Sequence, residues 1–132
     1  MPFKQYWAPS LLVVGILLAS LVQTNFGRVT VKDTRFIGSN GSLMSGLLYI
    51  PHGTTVNRPA PAILAIHGYI NSRETQSAFA IELARRGYVV LALDQTGHGY
   101  SDAPAFSNGF GGPDGLKYLR SLPFVDQTRI GM

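Results

Sequence analysis

A chain of 132 residues is about the size of one small domain. The absence of cysteine excludes a disulfide scaffold, a thiolate nucleophile and a cysteine zinc site, and the three histidines lie too far apart in sequence to support a metal site. The net charge of +4 comes from scattered basic residues, without the basic clusters and interleaved aromatics of a nucleic-acid surface, so no nucleic-acid partner is expected.

In chain order, the first element is a hydrophobic segment. Leu11 to Val22 is nearly continuous apolar sequence, with Tyr6 and Trp7 before it and Phe26 after it, as interfacial aromatics sit around a membrane helix. The run alone is short for a span, but taken from Pro9 to Phe26 it is nearly long enough. A secretory signal is the competing reading; Ala19-Ser20-Leu21 ends in leucine where cleavage needs a small residue. Residues 1–27 are therefore expected to be a retained, single-pass transmembrane helix that places the protein at a membrane. Lys4 on one side against Arg28, Lys32 and Arg35 on the other does not choose its sidedness.

Residues 28–132 read as a folded α/β domain. "RVTVKDTRFIG" alternates, "SLMSGLLYIP" is apolar, and Asn40-Gly41 between them predicts an antiparallel hairpin. A Pro, Gly and Thr-rich loop precedes a buried strand from Ala62 to Ile66, which stops at His67-Gly68. Asn71 with Glu74 resembles a capping box opening a helix whose apolar positions are Phe79, Ala80, Leu83 and Ala84, closed by Gly87. The strand "YVVLALD" follows, and strand, helix, strand in about thirty residues is a βαβ unit with a parallel sheet covered on both faces. After a glycine-rich loop, Pro113 and Asp114 suit the first turn of another helix, with Leu116, Leu119 and Leu122 on one face and Pro123 stopping it. A last strand is expected to begin near Arg129.

"ILAIHGY", "LALDQTGHGYSD" and "YLRSLPFVDQTRIGM", in that order and spacing, resemble the amino-terminal half of an α/β-hydrolase of the dienelactone hydrolase and serine aminopeptidase-like (S33) group, over about Thr30 to Met132. The resemblance implies an α/β fold made of an antiparallel hairpin followed by parallel βαβα units. It also implies that the last strand leads to a Gly-x-Ser-x-Gly elbow presenting a nucleophilic serine, a motif just beyond Met132. Serine, acid and base are then outside this sequence, and no catalysis is expected from it alone.

The resemblance assigns the backbone N–H of Tyr69 to an oxyanion hole, with Gly68 letting the chain pass close to the site. His67 is expected to be mainly structural, since the family's general base lies near the far end of the fold. Asp94, at a strand's carboxyl end, is a pocket candidate whose simpler role is to tie down the Gly97 to Gly99 loop; His98 either lines the pocket or is an exposed loop residue. Ser101 in "GYSDA" mimics a nucleophile motif, but its strand ends near Asp94 and Pro104 follows where an elbow needs a helix. "GHGYSD" lacks the third glycine and the helix of a phosphate loop.

The function implied is a membrane-anchored serine hydrolase acting on carboxylic esters or related acyl bonds of small molecules, with neither metal nor organic cofactor. The alternative is a non-catalytic membrane-tethered remnant or interaction module.

Overall fold

The computed structural model describes residues 6–102, 104, 105 and 107–132. Lys4, weighed in the charge balance above, and Ala103 of "GYSDA" lie outside the described residues. The chain begins with helix α1, Trp7–Gln23, and continues through strands β1, Val29–Ile37, β2, Leu43–Pro51, and β3, Ala60–Ile66. Helix α2, Ser77–Arg85, strand β4, Val89–Leu93, helix α3, Gly112–Ser121, and strand β5, Val125–Gly131, complete it.

The strands form one sheet in the order β1-β2-β4-β3-β5. The first two pair antiparallel, β2 runs antiparallel to β4, and β3 pairs parallel with both β4 and β5. The expected hairpin and parallel βαβα units are therefore present. The hairpin loop is wider than a two-residue turn: Ile37 is paired with Leu43, and Asn40 and Gly41 both take positive φ. The side chain of Asp114 in α3 holds that loop by accepting from the backbone N–H (2.9 Å) and hydroxyl (2.6 Å) of Ser39.

The uninterrupted apolar run of β4 follows from its place in the sheet. Leu91 and Leu93 pack with Met44, Leu64 and Leu119 on the α3 side, while Val90 and Ala92 pack with Tyr49, Ala80 and Ala84 on the α2 side. A strand buried on both faces has no polar alternate positions to display.

Four local expectations are corrected. No helix among the described residues is long and apolar enough to cross a membrane. At 17 residues α1 is about 25 Å long, against about 30 Å of hydrocarbon in a bilayer, so the expected transmembrane helix is not found. The capping box of Asn71 and Glu74 does not form either. Glu74 instead accepts from the hydroxyl of Ser72 (2.5 Å) and from Arg73 Nε (3.1 Å), a 3₁₀ turn covers Arg73–Gln76, and α2 starts at Ser77. Phe79, expected on the buried face of α2, is 69% exposed. Finally, β5 starts at Val125, four residues before the expected position, because Val125 pairs with Ala60 and is buried in the α3-side core.

Candidate functional site

In an open parallel sheet, ligands bind beyond the carboxyl ends of the strands where the strand order reverses. Here that point is the end of β3: the chain leaves it for β4 on one side, then crosses to β5 on the other. The residues singled out from the sequence gather at this end.

Beyond β3 the backbone makes a tight turn, with the N–H of Asn71 donating to the carbonyl of Gly68 (3.3 Å). Tyr69 and Ile70 occupy its two central positions, and Ile70 has φ 57°. A β-branched residue in the left-handed region is strained, by about 1–3 kcal/mol, and persists only where its surroundings impose it. The strain falls on Ile70, whereas Gly68 has no positive φ and a Cβ there would meet only Asn71 Nδ2, at an ordinary 3.7 Å. The Tyr69 side chain is 68% exposed, its ring edge-on to that of His98 with centroids 6.4 Å apart.

His67 holds the near side of the turn. Its Nε2 accepts from the backbone N–H of Gln95 (3.1 Å), so Nδ1 carries the proton and donates to the carbonyl of Gly68 (2.8 Å). The side-chain amide of Gln95 donates in return to the carbonyl of His67. With both nitrogens committed to backbone and the residue 2% exposed, this ring locks the start of the turn to the end of β4.

Asp94 holds the far side. Fully buried, it accepts from the backbone N–H of Arg73 (2.9 Å) through Oδ1 and from that of Tyr100 (3.1 Å) through Oδ2. One carboxylate thus joins the turn after β3 to the glycine-rich loop after β4. Ser101 is structural: its hydroxyl donates to the carbonyl of Asp94 (2.8 Å) and accepts from the N–H of Ser45 (2.9 Å). His98 is half-buried, with Nδ1 donating to the carbonyl of Thr96 (3.0 Å) and its ring 5.4 Å from that of His67. Gly99 has φ 52°, and a Cβ there would run into the Asp94 carboxylate. Gly99→Ala is expected to lose about 2 kcal/mol of stability, about half from the left-handed backbone and half from the clash, as read by urea unfolding. An unchanged midpoint would mean that the loop is not seated on Asp94.

The sequence reading missed Arg73. Only 4% exposed, it donates through both Nη atoms to the carboxylate of Asp33 in β1 (2.9 and 3.1 Å) and through Nη1 also to Ser45 Oγ (2.8 Å). Its Nε lies 3.6 Å from Asp94 Oδ2, and its guanidinium lies 4.9 Å from the centre of the Tyr100 ring. Burial opposes its charge, but hydrogen bonds to Asp33 and Glu74 outweigh that and raise its pKa. A lone arginine after a turn carries no sequence signal of this role, since its partners lie 40 and 21 residues away.

The hydrogen bond from Arg73 is also the main cause that holds the Asp33 carboxyl below its usual value of 3.8, while Glu74 is lowered chiefly by the Ser72 hydroxyl. Asp33 binds its proton less readily folded than unfolded. Its stabilising effect is therefore present above about pH 4 and disappears as the pH falls through the depressed folded value. Asp33→Asn should flatten the acid limb of a plot of melting temperature against pH between pH ~5 and ~2. Parallel limbs for the two proteins would remove Asp33 from the acid response.

Among the described residues, no three His, Asp or Glu side chains come together as a metal site requires. An open pocket of about 330 Å³ lies at the end of β3, lined by Ile66, Gln95, Phe110, Leu116 and Met132 among others. Gly109 and Phe110 on its rim belong to a run of four consecutive left-handed residues, Asn108 to Gly111, a second concentration of unusual backbone at this end of the sheet.

Residues 57–117 match the sequence profile of the family described as serine aminopeptidase, S33. No curated protein matches the chain in sequence. Among solved structures, the chain is similar to a hypothetical protein from Pseudomonas aeruginosa, at 26% identity and TM-score 0.69, over 79% of this chain and 34% of that one. It is similar to a bacterial heroin esterase at 24% identity and TM-score 0.65, over 94% of this chain and 40% of that one. An α/β hydrolase from Penicillium has 20% identity and TM-score 0.61, over 78% of this chain and 37% of that one. The chain thus spans between a third and two fifths of the length of these structures.

Proposed function

We propose, from the premise that this chain carries the amino-terminal part of an α/β-hydrolase fold, that it belongs to a serine hydrolase cleaving carboxylic esters or related acyl bonds. The observation that carries the reading is the strained turn from Gly68 to Asn71 at the reversal point of the sheet, clamped by His67 on one side and Asp94 on the other. Acyl transfer places negative charge on the substrate's carbonyl oxygen as a serine hydroxyl adds to the carbonyl carbon. Fixed backbone N–H groups aimed at that oxygen lower the barrier because they need no reorganisation as the charge develops. In this reading Tyr69 supplies one such N–H, and the strain at Ile70 is the cost of setting the peptide groups of the turn. Collapse of this adduct breaks the bond to the alcohol, which departs with the proton given up by the serine and leaves the acyl group on the serine oxygen. Water then hydrolyses this acyl-enzyme, releasing the carboxylic acid and restoring the serine hydroxyl. His98, beside Tyr69, lines the substrate's approach with its Nε2. No step calls for a metal or organic cofactor.

The serine, acid and base belong to a longer polypeptide, and the 132-residue chain alone is inactive. A polypeptide that continues after β5 through a Gly-x-Ser-x-Gly turn should hydrolyse a short-chain aryl ester and be labelled by a fluorophosphonate at that serine. Absence of both in a folded protein would overturn the enzyme reading in favour of a tethered interaction module.

The protein is also a membrane protein in this reading, attached through α1. That helix buries none of its residues and is apolar on all sides, a surface that a lipid environment would cover. Its length supports association with the bilayer rather than a complete crossing.

A further inference from the structure

The helix α1 joins the body at the end of the sheet opposite the candidate site. Val29, at the start of β1, is paired with Pro51 at the end of β2, while the carboxyl ends of β3 and β4 lie beside the start of β2, with Gly46 opposite Leu93. The joint is therefore at the amino-ends of the parallel strands.

Basic side chains cluster at this joint. Arg28, His52 and Arg85 line an open groove of about 650 Å³ at the joint, next to Phe26, which is 71% exposed. Arg58, in the loop between β2 and β3, and Arg120, in the last turn of α3, lie at this end as well. The acidic groups here are already paired: Glu82 with Arg86 (2.9 Å) and Arg85 (3.7 Å), Asp126 with Arg129 (2.6 Å). At the other end Glu74, Asp94, Asp102 and Asp114 stand beside Arg35, Arg73 and Lys117, with Asp94 buried 3.6 Å from Arg73 Nε, so acidic and basic groups are mixed there.

We infer that the basic end of the sheet rests on an anionic bilayer surface, with Arg28 and Arg85 against lipid phosphates, so that the candidate site opens away from the membrane into water. The inference rests on the reading of α1 as lipid-associated and adds to it a lipid preference and an orientation. An apolar helix ringed at its exit by arginines matches a surface that is hydrocarbon inside and negatively charged outside, and each basic group near such a surface strengthens attachment. The opposite end, where acidic and basic groups are mixed, offers that surface no such attraction. Substrates then reach the site from the aqueous phase, which selects water-soluble esters over lipids embedded in the bilayer.

Flotation of the 132-residue chain with phosphatidylcholine vesicles, with and without phosphatidylglycerol, tests the lipid preference. Partitioning should be stronger with the anionic lipid, and added salt should erase the difference. Arg28→Gln and Arg85→Gln should each weaken binding to anionic vesicles about fivefold, and roughly 25-fold together, while leaving binding to neutral vesicles unchanged. Equal binding to both vesicle types overturns the inference while α1 remains a membrane helix; binding to neither overturns the membrane reading itself. The lack of native cysteine permits single labels for the orientation, through His52→Cys in the groove and Ile70→Cys in the turn after β3. A nitroxide on the lipid headgroup should quench the fluorophore at position 52 and spare that at 70. The reverse pattern overturns the orientation.

Discussion

Replacing Arg73 with methionine is expected to destabilise the fold by about 3–5 kcal/mol, the usual cost of breaking a buried charge pair from one side. Methionine fills much of the volume, so the loss is electrostatic and not a cavity effect. The substitution leaves the Asp94 carboxylate, fully buried, without its neighbouring cation, and frees Asp33, Ser45 Oγ and the carbonyl of Gly46 from their donor. Arg73→Lys should recover only part of the loss, because a single ammonium cannot reproduce the two parallel bonds to Asp33. Small domains are stable by only about 5–15 kcal/mol, so the methionine variant should lose much of its urea resistance, followed by circular dichroism. A change below about 1 kcal/mol would put Arg73 in the class of exposed ion pairs, contrary to its burial.

Tyr69→Pro, made in the longer polypeptide that includes the nucleophile, is expected to lower turnover of a short-chain aryl ester by about a hundredfold to a thousandfold. Proline removes the N–H that the proposed mechanism uses. It also suits the position: Tyr69 is the first central residue of a turn whose second central residue has positive φ, as in a type II turn, where proline is favoured. The comparison with Tyr69→Phe separates the amide from the side chain, since phenylalanine keeps the N–H and loses only an exposed hydroxyl. Folding is checked by circular dichroism and access to the serine by fluorophosphonate labelling. A folded proline variant with near wild-type turnover would remove Tyr69 from the oxyanion hole. A phenylalanine variant as slow as the proline one would move the role to the hydroxyl.

The order of strands and helices was legible in the sequence because each element carries its own periodicity and punctuation. The apolar run of β4, the leucine spacing and leading Pro113 of α3, and Asn40-Gly41 in the hairpin are all set by neighbours within a few residues. The same holds for the end of β3 at His67-Gly68, which marked where the candidate site would lie. Other features depended on groups far apart in the chain. Arg73 was held by Asp33 and Asp94, with Glu74 beside it instead of capping a helix, and Val125 was recruited into β5 by Ala60. Gly68 was expected to let the chain turn closely past the site, but the left-handed backbone of the turn fell on Ile70, where no residue type announces it, because His67 and Asp94 fix both ends of the turn.

By itself the sequence determined what local sterics and hydrophobic spacing can encode: the α/β pattern, its chain order and the strand end at which chemistry would gather. Only the tertiary structure decided which polar groups meet there. Arg73, Asp33 and Asp94 are brought together by sheet order, and a buried charge is tolerable only where such distant partners converge. It also decided that Arg28, His52, Arg58 and Arg85, scattered in sequence, meet at the end of the sheet where α1 joins, because antiparallel and parallel strands return the chain to that end.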